Sequence, residues 1–358
     1  MRSLSRAELT AALAARQMLL ERQRMTPAEA IRRLTPLQGQ HPPAPFISLA
    51  SRLDGFSRAE LEAAIDARDV VKTTIMRLTL HVAAADEYPA YAQLARQQHM
   101  RAWRKKYPDL DEEEVAAELG AWLREPRTNP EIREHVHANY DGVDPNPWSS
   151  LIFARTVLPL VQLPPSGHWR TRQGMRFVAD PRPRPSLEDA ATLVLRRYLD
   201  AFGPASLRDA AGWAGAAQRD FAGARERLGT VSYRDEQGVE LLDLPERPLP
   251  PAGTKLPVRL LAHWDQPLLA YANRDRIIPP ELLPLKLTLS GSPTVTVDGR
   301  VAASWRVERE GDDARLTVTP HTDLARAAVE EIRAEADRMV RFHEPEARRY
   351  GVAIGDGG

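Results

Sequence analysis

Cysteine does not occur anywhere in the 358 residues. A disulfide framework, a thiolate nucleophile, an iron–sulfur cluster and a cysteine-ligated zinc are therefore excluded. Lysine is scarce: of 49 basic residues, 5 are lysine and 44 are arginine. Nothing marks any of those lysines for Schiff-base chemistry. Positive charge rests almost wholly on arginine, whose planar fork suits phosphate oxygens. Long apolar runs are also missing. The longest uncharged stretch, 35–51, contains four prolines, and Met1 to Thr10 is polar, without an apolar signal core. The expectation is a cytoplasmic protein with no membrane span.

Several motifs of bound chemistry are absent as well. There is no GxxxxGK[ST], no GxGxxG after a strand, no HExxH and no GxSxG. Neither a nucleotide cofactor nor a metal is expected. The close pair His135 and His137 has no cysteine or matched carboxylates beside it and reads as surface histidine. The acidic run from Asp111 to Glu114 opens a helix, where carboxylates favour the positive end of the dipole.

What is present is a protein with an ordinary core: 43% hydrophobic and 27% charged residues, with 30 prolines to punctuate it. The formal net charge is zero, which excludes a strongly basic binding protein. The charge is sorted along the chain, however. Residues 1–106 carry 17 Lys+Arg against 10 Asp+Glu, and residues 107–145 carry 3 against 11. Charge sorted along a chain can be charge sorted in space, with a basic face opposite an acidic one.

The pattern repeats helices followed by a β-hairpin. Ser5 to Glu8, Thr26 to Glu29 and Ser57 to Glu60 are capping-box sequences that start helices. Val70 to Val82 reads as one strand, with Met76, Leu78, Leu80 and Val82 on one face and Ile75, Arg77, Thr79 and His81 on the other. Helical stretches near 88–106, 112–124 and 130–138 precede a hairpin of Val161–Leu163 and Met175–Val178. A third unit has a helix at 186–202, a capped short helix with a glycine turn within 203–215, a helix at 218–228 and a hairpin over 231–244 that turns at Gln237-Gly238. A helix pair joined by a glycine turn is the helix-turn-helix signature. Beyond Lys255 come a three-strand meander over 294–319 and a closing helix from Thr322. The expected fold class is α+β, mainly helical, made of tandem winged-helix units with a C-terminal β-meander and helix. The expected units are 1–87, 88–184, 185–254 and 255–358. No heptad or long exposed apolar helix demands a dimer, so a monomer is expected.

Two segments carry candidate chemistry. Leu37-Gln38-Gly39-Gln40-His41-Pro42 is a rigid loop between helices, with two amides on alternating spacing. Residues two apart in an extended loop face the same way. Such amides also serve as simple caps for backbone groups. The strand face of Arg77, Thr79 and His81, and the loop of Trp169, Arg170 and Arg172, combine cations with an aromatic ring. That combination supports phosphate contact and base stacking.

The ordered set Arg16 to Leu20, Leu37 to Pro42, Arg77 to Val82, Pro165 to Trp169, Gly203 to Asp209, Arg259 to Asp265, Arg274 to Arg276 and Val297 to Arg300 resembles one bacterial family. It is similar to the winged-helix DNA glycosylases of the AlkZ/YcaQ type, over about residues 10–310. The resemblance implies tandem winged-helix units around a DNA-sized channel. It also implies removal of bulky alkylated purines, unhooking of interstrand crosslinks, and a role in DNA repair or self-resistance to an alkylating natural product. The family's catalytic loop reads glutamine, any residue, then glutamine or aspartate. Gln38 and Gln40 match the glutamine–glutamine branch and are the expected catalytic residues. The middle residue is usually apolar, and here it is Gly39, which leaves the backbone freer.

Arg52, Arg77, Thr79, His81, Trp169, Arg170 and Arg172 form the expected DNA-binding set. A neutral amide is a poor base and no acid, but its oxygen can orient a water and its dipole can face a developing sugar cation. That suffices when the leaving group already carries positive charge, as a purine alkylated at N7 or N3 does. The expected activity is a monofunctional glycosylase acting on double-stranded DNA without a cofactor. The competing reading is a winged-helix transcriptional regulator with no catalysis.

Overall fold

The computed structural model describes residues 1–144, 146–171, 174–251 and 253–355. Local sequence sets most helix starts. In α1 (Arg6–Arg16) the Ser5 hydroxyl accepts from the Glu8 amide while the Glu8 carboxylate accepts from the Ser5 amide. The same reciprocal cap opens α2 (Pro27–Leu34) through Thr26 and Glu29. A two-residue strand β1 (Leu37–Gln38) leads into α3 (Ala44–Arg52), and α4 (Arg58–Asp66) follows from a cap by Ser57 and Glu60. Each box satisfies amides that have no partner within the helix.

The expected single strand over 70–82 is not one strand. The chain reverses, giving β2 (Val70–Thr74) and β3 (Leu80–Ala84) as an antiparallel pair with Thr74 opposite Leu80 and Thr73 opposite His81. The reversal passes through Arg77 and Leu78 at φ 54° and 56°. No glycine, asparagine or aspartate announces that turn. It is held from elsewhere: Met76 is buried in the core, and Arg77 donates to the Trp213 carbonyl.

Next come α5 (Tyr88–Lys106), α6 (Glu112–Trp122), β4 (Arg127–Thr128), α7 (Asn129–Asn139), α8 (Pro147–Val157), β5 (Leu160–Gln162) and β6 (Arg176–Ala179). The two hairpins expected for the first two units share one sheet of order β1-β3-β2-β5-β6-β4. The seam is β2 on β5, with Lys72 opposite Gln162 and Thr73 opposite Val161. Leu37, Val82, Lys72 and Gln162 therefore form one cross-strand row, and Gln38, His81, Thr73 and Val161 the next. Adjacent rows point to opposite faces of a sheet.

The third segment holds α9 (Leu187–Phe202), α10 (Leu207–Ala214), α11 (Ala222–Arg227) and the hairpin β7 (Val231–Arg234) with β8 (Glu240–Asp243). Gly215, at φ 67°, ends α10 and lies against the Arg77 backbone. The last segment holds β9 (Arg259–Leu261), α12 (Gln266–Leu269), α13 (Leu287–Ser290), β10 (Thr294–Val297), β11 (Arg300–Glu310), β12 (Asp313–Pro320), α14 (Arg326–His343) and β13 (Arg349–Ile354). The expected meander is the centre of a five-stranded sheet, which β9 and β13 extend at its edges. Strand β13 runs parallel to β12 after the α14 crossover.

The largest apolar cluster joins the hairpin turn, α5, α9, α10 and the 268–287 stretch. A second fills the space between the five-stranded sheet and α14, and α3 contributes Ala44, Ile47 and Ala50 to it. Helix α3 thus sits between two cores, because its outward residues Phe46 and Leu49 pack into the cluster of α2 and α4. Among the described residues no helix is long and apolar enough to cross a membrane.

Candidate active site

The Gln38–Gln40 loop connects β1 to α3. Pairing holds its first half: Leu37 lies opposite Val82, Gln38 lies opposite His81, and the Gly39 amide donates to the Leu80 carbonyl at 2.8 Å. Pro42, Pro43 and Pro45 stiffen the exit, which closes with the Ala44 amide donating to the His41 carbonyl at 2.9 Å. The glycine does not loosen the loop. Gly39 is buried, its φ lies outside the left-handed region, and its amide is doubly engaged.

The two glutamines differ in what they present. Gln38 is buried, and its Oε1 accepts from the Gly39 amide at 2.9 Å and the Gln40 amide at 3.2 Å. Two backbone donors at one atom identify that atom as the amide oxygen. Its Nε2 donates to Thr79 Oγ1 at 3.4 Å. Thr79 in turn donates to the Met76 carbonyl at 3.1 Å. Gln40 is exposed, and among the described residues no group hydrogen-bonds its side-chain amide. No carboxylate is hydrogen-bonded to either glutamine among the described residues.

Behind the loop lies a brace that sequence reasoning missed. Asp265 and Gln266, at the start of α12, hold the two ends of the 36–52 segment. Gln266 Nε2 donates to the Pro36 carbonyl, and Gln266 Oε1 accepts from Trp213 Nε1 at 3.3 Å. Asp265 takes the Arg52 guanidinium through two contacts, 2.7 and 3.1 Å. His263 stacks on His41 with ring centroids 3.8 Å apart. Burial, then His41 and His343, hold the His263 ring neutral, with its pKa pushed down to about 3. The one available signal was the stretch Arg259 to Asp265, which marked the region without assigning it a partner.

The expected DNA-binding residues do not come together on one surface. Arg52 is corrected outright. It is 0% exposed, and besides Asp265 it donates to the Gln17 and Ser48 carbonyls at 3.0 and 2.9 Å. A fully enclosed guanidinium cannot meet a phosphate. His81 is also 0% exposed. Its Nδ1 lies 2.9 Å from the Thr79 carbonyl, and burial, reinforced by Arg77, lowers its pKa to about 3. Thr79 supports Gln38 instead of facing outward, and Arg77 is partly buried against Trp213.

Trp169 is no open stacking platform. Its ring meets Phe46 edge-on at 5.4 Å and His343 at 5.2 Å, and the Arg58 guanidinium lies 4.5 Å from the ring centroid. Arg170 is exposed but ion-paired to the buried Glu344. Arg172 lies outside the described residues.

Lysine chemistry can be placed too. Lys72 is buried without an ion pair or hydrogen bond among the described residues, and burial lowers its pKa to about 8. It stands in the row facing away from Gln38. It is therefore poorly placed to attack a sugar held at the glutamine loop. No group of three or more His, Asp or Glu able to hold a metal occurs among the described residues.

With this geometry in view, comparison with known proteins gives three concordant matches. Residues 31–342 match the family model described as DNA glycosylase AlkZ-like. An interstrand DNA cross-link repair glycosylase from Streptomyces sahachiroi is 25% identical over 370 residues, covering 91% of this chain and 93% of the relative. The solved structure of the Streptomyces sahachiroi DNA glycosylase AlkZ superposes with a TM-score of 0.83 at 22% identity, over 99% of this chain and 100% of that one. The last of these is a likeness of fold.

Proposed function

The chain belongs to the AlkZ-like DNA glycosylase family, and on that premise we propose that it is a monofunctional enzyme hydrolysing the N-glycosidic bond of bulky purines alkylated at N7 or N3 in double-stranded DNA. Interstrand crosslinks are included, as the name of the Streptomyces relative supports. The protein works in repair or in self-resistance to an alkylating agent. The units 1–87, 88–184 and 185–254 are read as winged helices and 255–358 as the closing domain.

The observation that carries this reading is the loop itself, in which the exposed group is a neutral amide. A neutral amide cannot protonate a leaving base. It suits a leaving group that is already cationic. When the C1′–N bond of an N7-alkylpurine breaks, the bonding pair stays with the base and quenches its positive charge. The sugar carbon becomes an oxocarbenium ion and takes a water. The Gln40 oxygen accepts a hydrogen bond from that water and stabilises charge at the sugar. The proton of the attacking water passes to solvent. Gln38 positions the loop, since its oxygen is committed to the amides of Gly39 and Gln40.

Base release tests this. Duplex DNA carrying an N7-alkylguanine is incubated with the protein, then heated in alkali to break abasic sites. Wild-type protein is expected to give breaks at the lesion, and Gln38→Ala/Gln40→Ala to lose them while still binding DNA. A crosslinked duplex run on a denaturing gel extends the test to unhooking. Catalysis that survives both substitutions would overturn the assignment. Family membership disfavours the regulator reading.

A further inference from the structure

Across the hairpin turn from the glutamine loop lies a cleft of about 40 Å³ between α5, α8 and the residues Thr74, Ile75 and Leu78. Three arginines and a histidine line it: Arg96, Arg155, Arg184 and His99. Their charge is poorly answered. Arg96 pairs with Glu112, which is shared with Arg104 at 2.6 Å. Arg155 and Arg184 have no ion pair among the described residues. Arg155 Nη1 donates to Thr74 Oγ1 at 2.9 Å, and Arg184 Nη2 to the Val157 carbonyl at 2.7 Å. The Nε atoms of Arg155 and Arg96 are buried and meet no acceptor. Burial pushes Arg155 down to about 10, and burial with repulsion from Arg96 lowers Arg184.

Half-buried cations without counter-charges weaken a fold, so a site that keeps them points to an anion it serves. We propose that this cleft binds one phosphate of the DNA backbone, with Arg155 and Arg184 as its principal ligands. Its position fits the assignment. Leu78 lines the cleft, and the next residue, Thr79, holds the Gln38 amide. A phosphate seated here lies across one turn from the reacting sugar and sets the register of the duplex on the loop. This inference rests on the glycosylase reading for its biological sense, but its test uses undamaged DNA and needs no catalysis.

The experiment is fluorescence anisotropy of a labelled undamaged duplex, titrated with full-length protein over a series of salt concentrations. Losing one phosphate contact reduces the slope of log K against log salt by about 0.9. Arg155→Gln is expected to show that loss and weaker binding, and Arg184→Gln a similar one. Arg155→Lys keeps the charge and is expected to recover most of the slope. Thermal melting confirms that each variant is folded, and if Arg155→Gln fails to fold, Arg184→Gln carries the test. An unchanged slope in folded variants overturns the site. So does inorganic phosphate that raises the melting temperature of the wild type while the slopes stay unchanged, which would identify a free-anion site. A protein that releases no base yet shows the slope change keeps this site and loses only the glycosylase assignment.

Discussion

Replacing Arg52 separates two roles that charge alone does not distinguish. In the interior it joins α3 to Asp265, with both side chains 0% exposed. Arg52→Met keeps the length of the stem and removes the charge. Among the described residues it leaves the Asp265 carboxylate in the interior with the Ala262 amide alone, at 3.1 Å, as a partner. Breaking a buried pair in this way costs about 3–5 kcal/mol. Unfolding entropy near 2.1 cal/mol/K per residue, over 358 residues, gives roughly 0.75 kcal/mol per degree. The melting temperature should therefore fall by about 4–7 °C. The double variant Arg52→Met/Asp265→Leu removes both charges, and its melting temperature should recover well above that of the single one, because no orphan charge remains. Differential scanning calorimetry reads the first quantity, and duplex binding at low temperature reads the second. An unchanged melting temperature with weakened DNA binding would refute the interior role and restore Arg52 to the DNA surface.

Other outcomes follow from the same geometry. Lys72→Met should raise the unfolding free energy by about 1–3 kcal/mol at neutral pH, read by urea melts, because a lysine with a folded pKa of about 8 carries a charging penalty there. Borohydride added during base release should trap no covalent DNA complex, since Lys72 faces away from Gln38; trapping lost in Lys72→Met would reverse that. His81, neutral when folded with a pKa of about 3, favours the folded state above the ordinary histidine pKa. That contribution is lost as pH falls from about 6.5 toward 3, by up to about 1.4 kcal/mol per unit, and urea melts of His81→Gln should show a shallower acid limb. Gly39→Ala places its Cβ 3.4 Å from the His81 carbonyl carbon, an ordinary contact, so base release should survive and stability should change by less than about 1 kcal/mol.

What could be read in advance divides by distance along the chain. Capped helix starts at Ser5, Thr26 and Ser57 were legible because the box is complete within four residues. The hairpin over 231–243 carried a recognisable turn at Gln237-Gly238, and the strands near 161–163 and 175–178 were found as a pair. The reversal at Arg77 was not legible, because its determinant is the Trp213 carbonyl, 136 residues away. Arg52 reads as a surface cation until Asp265, 213 residues on, encloses it. Trp169 beside Arg170 reads as a stacking loop until Phe46 and His343 surround its ring. The glutamine loop could be found as an oddity, whereas the division of labour between Gln38 and Gln40 depends on which amide faces the backbone.

The shared sheet also governs how the molecule can move. Six strands drawn from 37–179 are hydrogen-bonded edge to edge, and the seam between β2 and β5 lies inside that ladder. A swing about residue 87 would tear it. Whatever the first half of the chain holds against DNA is therefore set at folding, like one jaw of a caliper. Relative motion of the two hairpins is excluded while the ladder stands, so both move as one rigid frame.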